Sequence, residues 1–205
     1  MTSILKVDQL QDTSGNNIIN ENANTVTIGK AGDTVNVVGT LQNNGSGLVS
    51  GITQADMWRL TTNLDLTPAV TDLTFSNLER VDTGNFGYVG TGMTQSSGVF
   101  TFPETGIYLI NACAVGYNNA SASQYIQLII STTTDNSTYY KGTYTYTSLS
   151  AANYYFGVHG STFFDVTNTS THKVKFEASS NNTPRVFGST STNHTYFQFI
   201  RLGDT

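Results

Sequence analysis

The fold is decided by the stretch Gly98-Val-Phe-Thr-Phe-Pro-Glu-Thr-Gly-Ile-Tyr-Leu-Ile110 together with the run Tyr196-Phe-Gln-Phe-Ile-Arg-Leu-Gly203. The first stretch predicts a short strand that ends at Pro103, a turn through Glu104-Thr105-Gly106, and a long apolar strand that continues to Val115. The second run is aromatic at alternate positions, which predicts one further strand. Two such strands in one chain indicate a β-sheet protein.

Composition supports the same conclusion. The chain has 205 residues, of which 38% are hydrophobic, 11% aromatic and 11% charged. The charged share is less than half of the roughly 25% usual in soluble proteins. Asn, Ser, Thr, Gly and Tyr fill the difference, and these residues favour strands and turns over helices. The composition therefore predicts an all-β protein, and the length fits one sizeable domain or one domain plus an appendage.

Net charge and cysteine content exclude several classes of function. The formal net charge is −5 and the nine basic residues are scattered, so no basic stripe is present for a nucleic-acid backbone. No apolar run approaches the length that spans a membrane. The single cysteine, Cys113, excludes an intramolecular disulfide. We expect a chain that folds in a cytoplasm and binds neither nucleic acid nor membrane.

Residues 1–52 differ in composition from the rest, since no aromatic residue precedes Trp58. They contain short β-like runs separated by Gly and Asn, namely Asn17–Asn20, Thr25–Gly29 and Thr34–Gly39. A glycine-rich joint over residues 43–51 then precedes the remainder. We therefore predict a stalk at 1–52 and a domain at 53–205.

The short runs of the predicted stalk alternate apolar and polar residues, as half-buried strands do. Val26, Ile28, Val35 and Val37 carry this pattern. A run this thin cannot bury its own apolar face, so the four residues are predicted to contact other copies of the chain around a common axis. The alternative is a disordered tail.

The long strand after Gly106 is apolar on both faces. One face carries Ile107, Leu109, Cys113 and Val115, and the other Tyr108, Ile110, Ala112 and Ala114. This pattern predicts a central strand that is covered on both sides, as at a subunit contact. Lys173–Ala178, in contrast, places Val174, Phe176 and Ala178 inward and three charges outward, which predicts a strand with one wet face.

Three parts of the domain carry a family resemblance: the Phe100–Pro103 strand with its turn and Tyr108, the Asp165–Phe176 region, and the terminal strand Phe197–Leu202. They resemble the trimeric jelly roll of the complement-one-q and tumour-necrosis-factor superfamily. The resemblance implies a jelly-roll β-sandwich of about eight to ten strands. It also implies a homotrimer, with Tyr108, Ile110, Phe197 and Phe199 at the three-fold interface.

The N-terminal residues carry a second resemblance. Ile4–Ile19 is similar to the N-terminus of marine phage fibre-like proteins, and the chain lacks the collagen-like stalk of animal members of the superfamily. This resemblance implies a virion protein, assembled in the host cytoplasm, whose N-terminus attaches to other virion proteins of the tail, baseplate or capsid.

Motifs of catalysis are absent from the sequence. It contains no Gly-x-Ser-x-Gly, no phosphate-binding loop and no dinucleotide fingerprint. His159, His172 and His194 are dispersed, without the short spacing of a zinc site. We therefore expect a protein that is not an enzyme and that has no cofactor and no metal. The alternatives are a metal on the trimer axis, held by His172 or His194 of three chains, and a calcium ion at Asp82 or Asp135.

Candidate receptor contacts come from tyrosines and amides in the predicted loops Tyr117–Ser123, Asn136–Tyr146 and Asn181–Thr195. Tyrosine beside neutral amides suits sugar or protein surfaces, because the ring is amphipathic and cheap to order. The candidates are Tyr117, Asn118, Asn119, Tyr139, Tyr140, Tyr144, Tyr146, Asn181, Asn182, Arg185 and His194.

The sequence as a whole predicts a homotrimeric phage fibre whose jelly-roll head contacts the host surface, with a glycan as the expected receptor. The first alternative is a capsid decoration or head fibre with a structural role. Less favoured alternatives are a capsule-degrading spike, in which folding would gather a pair of carboxylates, and a secreted trimeric ligand.

Overall fold

The computed structural model describes residues 9–11, 13–14, 17–22, 25–28, 31–38, 42–43, 46–47, 51–118 and 121–205. The chain forms two compact units, Met1–Ser50 and Gly51–Thr205, called here the N-terminal and C-terminal units. The residues so described contain no α-helix, and hence no helix that is long and apolar enough to cross a membrane.

The N-terminal unit contains short antiparallel strands. Its strands are β1 (Gln9–Gln11), β2 (Asn17–Asn22), β3 (Thr25–Ile28), β4 (Gln42–Asn43) and β5 (Ser46–Gly47). The first three form one sheet in the order β1-β2-β3, and β4 pairs with β5. The predicted strands at 17–20 and 25–28 are therefore confirmed.

The third predicted run of this unit is not a strand. Residues 33–38 have no regular secondary structure, so the interpretation of Val35 and Val37 as half-buried strand residues is wrong for the single chain. Ile28, Val35 and Val37 are each about half exposed. Their contact with another copy stays a prediction, and the side chain of Val26 lies outside the described residues.

The C-terminal unit contains seven strands of six or more residues and six of two or three residues among its described residues. The long strands are β6 (Ala55–Leu60), β12 (Gly106–Asn118), β13 (Ser123–Thr133), β14 (Tyr140–Leu149), β15 (Tyr154–Val166), β16 (Lys173–Ser180) and β18 (Tyr196–Gly203). The short strands are β7 (Leu64–Asp65), β8 (Leu73–Thr74), β9 (Leu78–Arg80), β10 (Thr94–Ser96), β11 (Val99–Thr101) and β17 (Arg185–Val186).

These strands form two antiparallel sheets. The six-stranded sheet has the order β10-β11-β16-β13-β14, with β8 beside β16. The seven-stranded sheet has the order β7-β17-β12-β18-β6-β9, with β15 beside β12. The predicted strand, turn and long strand of residues 98–115 are confirmed as β11 and β12, and the closing strand as β18.

Aromatic side chains join the two sheets into a sandwich. Phe176 of the six-stranded sheet stacks on Phe197 of the seven-stranded sheet, with ring centroids 4.0 Å apart and an interplanar angle of 15°. Phe100 lies 4.9 Å from Phe199 across the same interior. These rings are fully buried, and burial of side chains this large is the main favourable term for the unit.

The inward face of β12 differs from the predicted one. Tyr108, Ile110, Phe197 and Phe199 belong to the core cluster of a single chain and have no exposed surface left for another subunit. Their assignment to a trimer interface is therefore wrong. The face of β12 that carries Leu109 is directed outward instead.

A buried carboxylate organises the edge of the seven-stranded sheet where the unit begins. Asp56 accepts hydrogen bonds from the Trp58 indole (2.9 Å) and the Met93 amide (2.7 Å) and pairs with Arg80 at 3.1 Å. A Cβ atom at Gly92, whose φ is +73°, would lie 2.8 Å from Asp56 Oδ2. Glycine is required here because the loop passes against the carboxylate in a left-handed conformation.

We predict that Phe176→Ala lowers the free energy of unfolding by about 3–5 kcal/mol, because it removes the stacked ring that joins the sheets. The measurement is urea-induced unfolding at fixed protein concentration. Phe86→Ala, at a half-exposed loop position, is the control and should change stability by less than about 0.5 kcal/mol. Equal effects of the two substitutions would contradict the described core.

Candidate binding surfaces

The C-terminal unit has two distinct ends. Arg201 donates its backbone N–H to Gln54 O at 2.9 Å and its Nε–H to Thr105 O at 2.8 Å, so the unit starts beside the first residue of β12. β12 is 13 residues long, or about 40 Å at the usual rise of a strand. Its last residues, Tyr117 and Asn118, therefore lie at the end opposite to the start of the unit, called here the distal end.

Four rings form a continuous row at the distal end. The ring centroids of Tyr117 and Tyr155 are 5.1 Å apart, those of Tyr155 and Phe187 6.1 Å, and those of Phe187 and His194 5.8 Å. We call Tyr117, Tyr155, Phe187 and His194 the distal aromatic row. Two of its members, Tyr117 and His194, were predicted as contacts. Phe187 and Tyr155 were missed, although exposed positions alternate through β15.

Polar candidates at the distal end are already engaged within the chain. Arg185 makes a two-pronged ion pair with Asp65, with N···O distances of 2.6 and 2.9 Å. The pair raises the pKa of the Arg185 guanidinium and lowers that of the Asp65 carboxyl. Tyr117 donates its hydroxyl hydrogen to Asn153 Oδ1 at 2.5 Å. Arg185, one of the predicted receptor contacts, is therefore already paired with an anion of its own chain.

The amide candidates join loops instead of facing solvent. Asn118 is fully buried, so its prediction as a surface contact is wrong. Asn182 donates its amide hydrogens to the backbone of residues 121 and 122, and Asn181 accepts from the Tyr125 N–H at 3.2 Å. Asn119 lies outside the described residues. Short amide side chains hydrogen-bond neighbouring backbone readily, which explains these roles.

The remaining tyrosine candidates lie on the other sheet. Tyr140, Tyr144 and Tyr146 belong to strand β14, not to a loop as predicted. Tyr144 and Tyr146 are 42% and 62% exposed, and their rings are parallel within 7° with centroids 6.1 Å apart. Residues i and i+2 of a strand share a face, so both rings project from the outward side of the six-stranded sheet. We call this pair the tyrosine ledge.

An ion pair crosses the sheet next to the tyrosine ledge. Lys141 Nζ of β14 pairs with Asp72 Oδ2, which lies just before β8 on the far side of β13 and β16. Asp72 Oδ1 also accepts from Ser179 Oγ at 3.2 Å. The hydrogen bond to Asp72 raises the pKa of Lys141 above its ordinary value. The Lys141 ammonium therefore stays charged beside the rings, and the Asp72 carboxylate balances that charge.

A second ion pair lies deeper in the same face. Glu177 is only 4% exposed; it accepts from Ser131 Oγ at 2.5 Å and pairs with Lys175 Nζ at 2.6 Å. The Lys175 ammonium lies 4.6 Å from the ring centroid of Tyr139. Burial, and then the Glu177 carboxylate, raise the pKa of the Tyr139 hydroxyl. The face of β16 that was predicted to be exposed to solvent is therefore covered, and Tyr139 is one of the side chains that cover it.

The outward face of the seven-stranded sheet is mainly apolar. Leu109 lies in register between Phe163 of β15 and Ile200 of β18, and Cys113 lies between His159 and Tyr196. Phe163 is 67% exposed. We call this surface the association face, and the distal aromatic row continues it at the distal end. A polar row of Asn111, Ser161 and Gln198 crosses its middle.

Several titratable groups of these surfaces are engaged within the chain or have a shifted pKa. Within them, no three His, Cys, Asp or Glu side chains lie close enough to hold a metal ion. Burial raises the pKa of the Cys113 thiol, which makes it a poor nucleophile at neutral pH. The carboxylates of Asp56, Asp65 and Glu177 are each engaged by a cation of the same chain. What these surfaces offer is exposed aromatic area.

Comparison with known proteins identifies the fold. The chain is similar to the Eiger TNF of S. frugiperda, with a TM-score of 0.58 and 8% identity over 76% of this chain and 96% of that one. Structures of murine APRIL at pH 5.0 and pH 8.5 each give a TM-score of 0.52, with 12% and 11% identity over 73% of this chain and 98% of theirs. No family model and no curated protein matches the chain. The predicted jelly-roll β-sandwich is confirmed as the fold.

The two ion pairs of the six-stranded sheet should differ in their contribution to stability. We predict that Glu177→Ala lowers the free energy of unfolding by about 2 kcal/mol, because it leaves buried partners unsatisfied. Asp72→Ala should cost less than about 1 kcal/mol, since Lys141 can return to water. Urea unfolding of both variants checks this, and a larger loss for Asp72→Ala would contradict the assigned burial.

Proposed function

We propose that the chain is a homotrimeric virion fibre protein whose C-terminal unit contacts the host surface and whose N-terminal unit attaches to the particle. The observation that carries the proposal is the pair of outward faces on the sandwich. One is apolar and suits contact with further copies of the chain. The other presents exposed tyrosines over neutralised charges and suits contact with a foreign surface. Neither requires an enzymatic activity.

The association face supports trimer formation. Exposed apolar side chains that are contiguous on a sheet mark interaction surfaces. Phe163, Leu109 and Ile200 form such a band, and β12 then buries apolar residues on both sides, as its sequence requires. A cyclic arrangement of three copies around one axis, as in the family that the sequence resembles, would cover this band on every subunit.

The polar row has a role in the same arrangement. Asn111, Ser161 and Gln198 interrupt the apolar face in one register row. A polar row inside an otherwise apolar contact fixes the register and number of subunits, because any shift leaves its groups unpaired. The row therefore favours one defined oligomer over non-specific association of the apolar band.

The fibre role rests on the N-terminal unit. Its strands are short, and Ile28, Val35 and Val37 are exposed in the single chain. Three copies would give each apolar side chain a partner, as in intertwined fibre shafts. The resemblance of residues 4–19 to phage fibre N-termini supports attachment to a tail, baseplate or capsid protein. A capsid decoration is the second candidate, because a small trimeric unit fits either position.

We predict that Phe163→Asp converts the trimer into monomers, because the contact would bury an unpaired carboxylate. The measurement is the molar mass of the full chain by light scattering after size-exclusion chromatography. Wild-type protein should have three times the mass of one chain, and the variant the mass of one. Circular dichroism of the variant should still show the β-sheet spectrum, since Phe163 lies outside the core.

The matched control is Tyr146→Asp, which adds the same charge to the opposite sheet and should leave the trimer intact. A monomeric wild-type protein, or a trimeric Phe163→Asp variant, would contradict the proposed interface. Competition then tests the role: excess wild-type protein should reduce adsorption of the parent virus to its host. Adsorption that is unchanged, with the protein located on the capsid shell, would favour the decoration.

A further inference from the structure

We propose that the tyrosine ledge, Tyr144 and Tyr146 with the flanking Lys141–Asp72 ion pair, is a binding site for neutral polysaccharide. This inference rests on the proposed contact with the host surface and assigns it a place and a ligand class. The ligand is a chain of uncharged pyranose units that packs against the exposed aromatic surface of the two rings. The argument uses ring geometry, charge and position.

Ring geometry is the first observation. The two rings are parallel within 7° and neighbouring in space, with centroids 6.1 Å apart. Both remain substantially exposed. An aromatic face carries negative charge density and attracts the weakly positive C–H groups of a sugar ring. Two parallel, neighbouring rings form one rigid aromatic surface on which a sugar ring can pack.

Charge is the second observation. Lys141 is neutralised by Asp72 and Lys175 by Glu177, so each cation near the ledge already has an anionic partner in the chain. An acidic polysaccharide would therefore gain no free cation, and it would meet the chain's net charge of −5. Among the described residues, Asp72 and Glu177 are paired in the same way, so their carboxylates are not free for a basic partner. Compensated charge around an aromatic surface favours an uncharged ligand.

Position is the third observation. The ledge lies on the outward side of the six-stranded sheet, whereas the association face and the distal aromatic row lie on the outward side of the other sheet. Trimer formation through the association face therefore leaves the ledge accessible on every subunit. Two rings bury little area, so one site binds weakly. Three sites on one trimer raise the avidity by orders of magnitude when the ligand is a repeating polymer.

The local hydrogen-bonding groups complete the site. The Lys141 ammonium lies 5.4 Å from the ring centroid of Tyr144, so it borders the face on which a sugar would lie. The hydroxyls of these two exposed side chains can both donate and accept hydrogen bonds. Sugar hydroxyls need such groups at the rim of the contact. We expect the rings to supply most of the affinity and the hydroxyls to supply selectivity.

The test is affinity electrophoresis of the intact full-length protein in gels that contain one polysaccharide each. The neutral probes are dextran, mannan and laminarin, and the anionic probes are dextran sulfate and polygalacturonate. We expect retardation by at least one neutral probe, with the same strength at roughly 0.05 and 0.5 M salt, because no charge is exchanged. The double substitution Y144A/Y146A should weaken it by about tenfold or more.

Two further variants distinguish the rings from other tyrosines. Y144F/Y146F should keep most of the binding, because the rings remain. Tyr154→Ala is the matched control: it removes a tyrosine that is also about half exposed but lies on β15, and it should have no effect. The molar mass of each variant confirms that the trimer persists.

Several outcomes would overturn the inference. They are binding to anionic probes alone, salt-sensitive binding, neutral binding that Y144A/Y146A leaves unchanged, and no retardation by any neutral probe. Binding to host cells that protease treatment abolishes would assign the ledge to a protein partner instead. If wild-type protein and Y144A/Y146A bind host cells equally, the tyrosine ledge is not the binding site, whereas the proposed function stands. If wild-type protein binds no cells, the proposed function itself fails.

Discussion

The stacking of Phe176 on Phe197 between the two sheets is the contact on which the rest of the unit depends. It fixes which side of β16 and of β18 faces inward, and strand pairing then transmits that choice to every neighbour, because directly paired residues share a face. Phe100 and Phe199 extend the same aromatic layer. Once these rings are packed together, strand pairing determines which side chains lie on each outward face.

The outward faces of the two sheets differ in how far side chains of the same chain cover them. On the six-stranded sheet, Glu177 and Ser131 are buried under ion pairs and rings of the same chain, so this side is complete in one molecule. On the seven-stranded sheet, Phe163 is 67% exposed and its cross-strand neighbour Leu109 is only partly buried. The proposed trimer would cover this side and leave the six-stranded sheet free for a ligand.

The positions of β11, β12 and β18 could be predicted from sequence because proline, glycine and alternation are local signals. The pattern of β16 even gave the correct inward residues. The facing of β12 could not be predicted, since Tyr108 and Leu109 are both apolar and alternation has no contrast to read. Only the partner sheet decides between them. For the same reason the interface prediction named core residues, while Phe163 and Tyr155, the exposed ones, were passed over.

Candidate contacts show a second limit of sequence reasoning. Arg185, Asn118 and Asn182 have the right chemistry for a receptor site, yet Asp65, Ser123 and the backbone at Ala122 occupy them. A polar side chain with a partner in its own chain must lose that bond before it can bind, and the exchange yields little net free energy. The face of an exposed aromatic ring has no such bond to lose. The exposed tyrosines are therefore the groups that can still contribute binding free energy, and their neutral surroundings determine what they can bind.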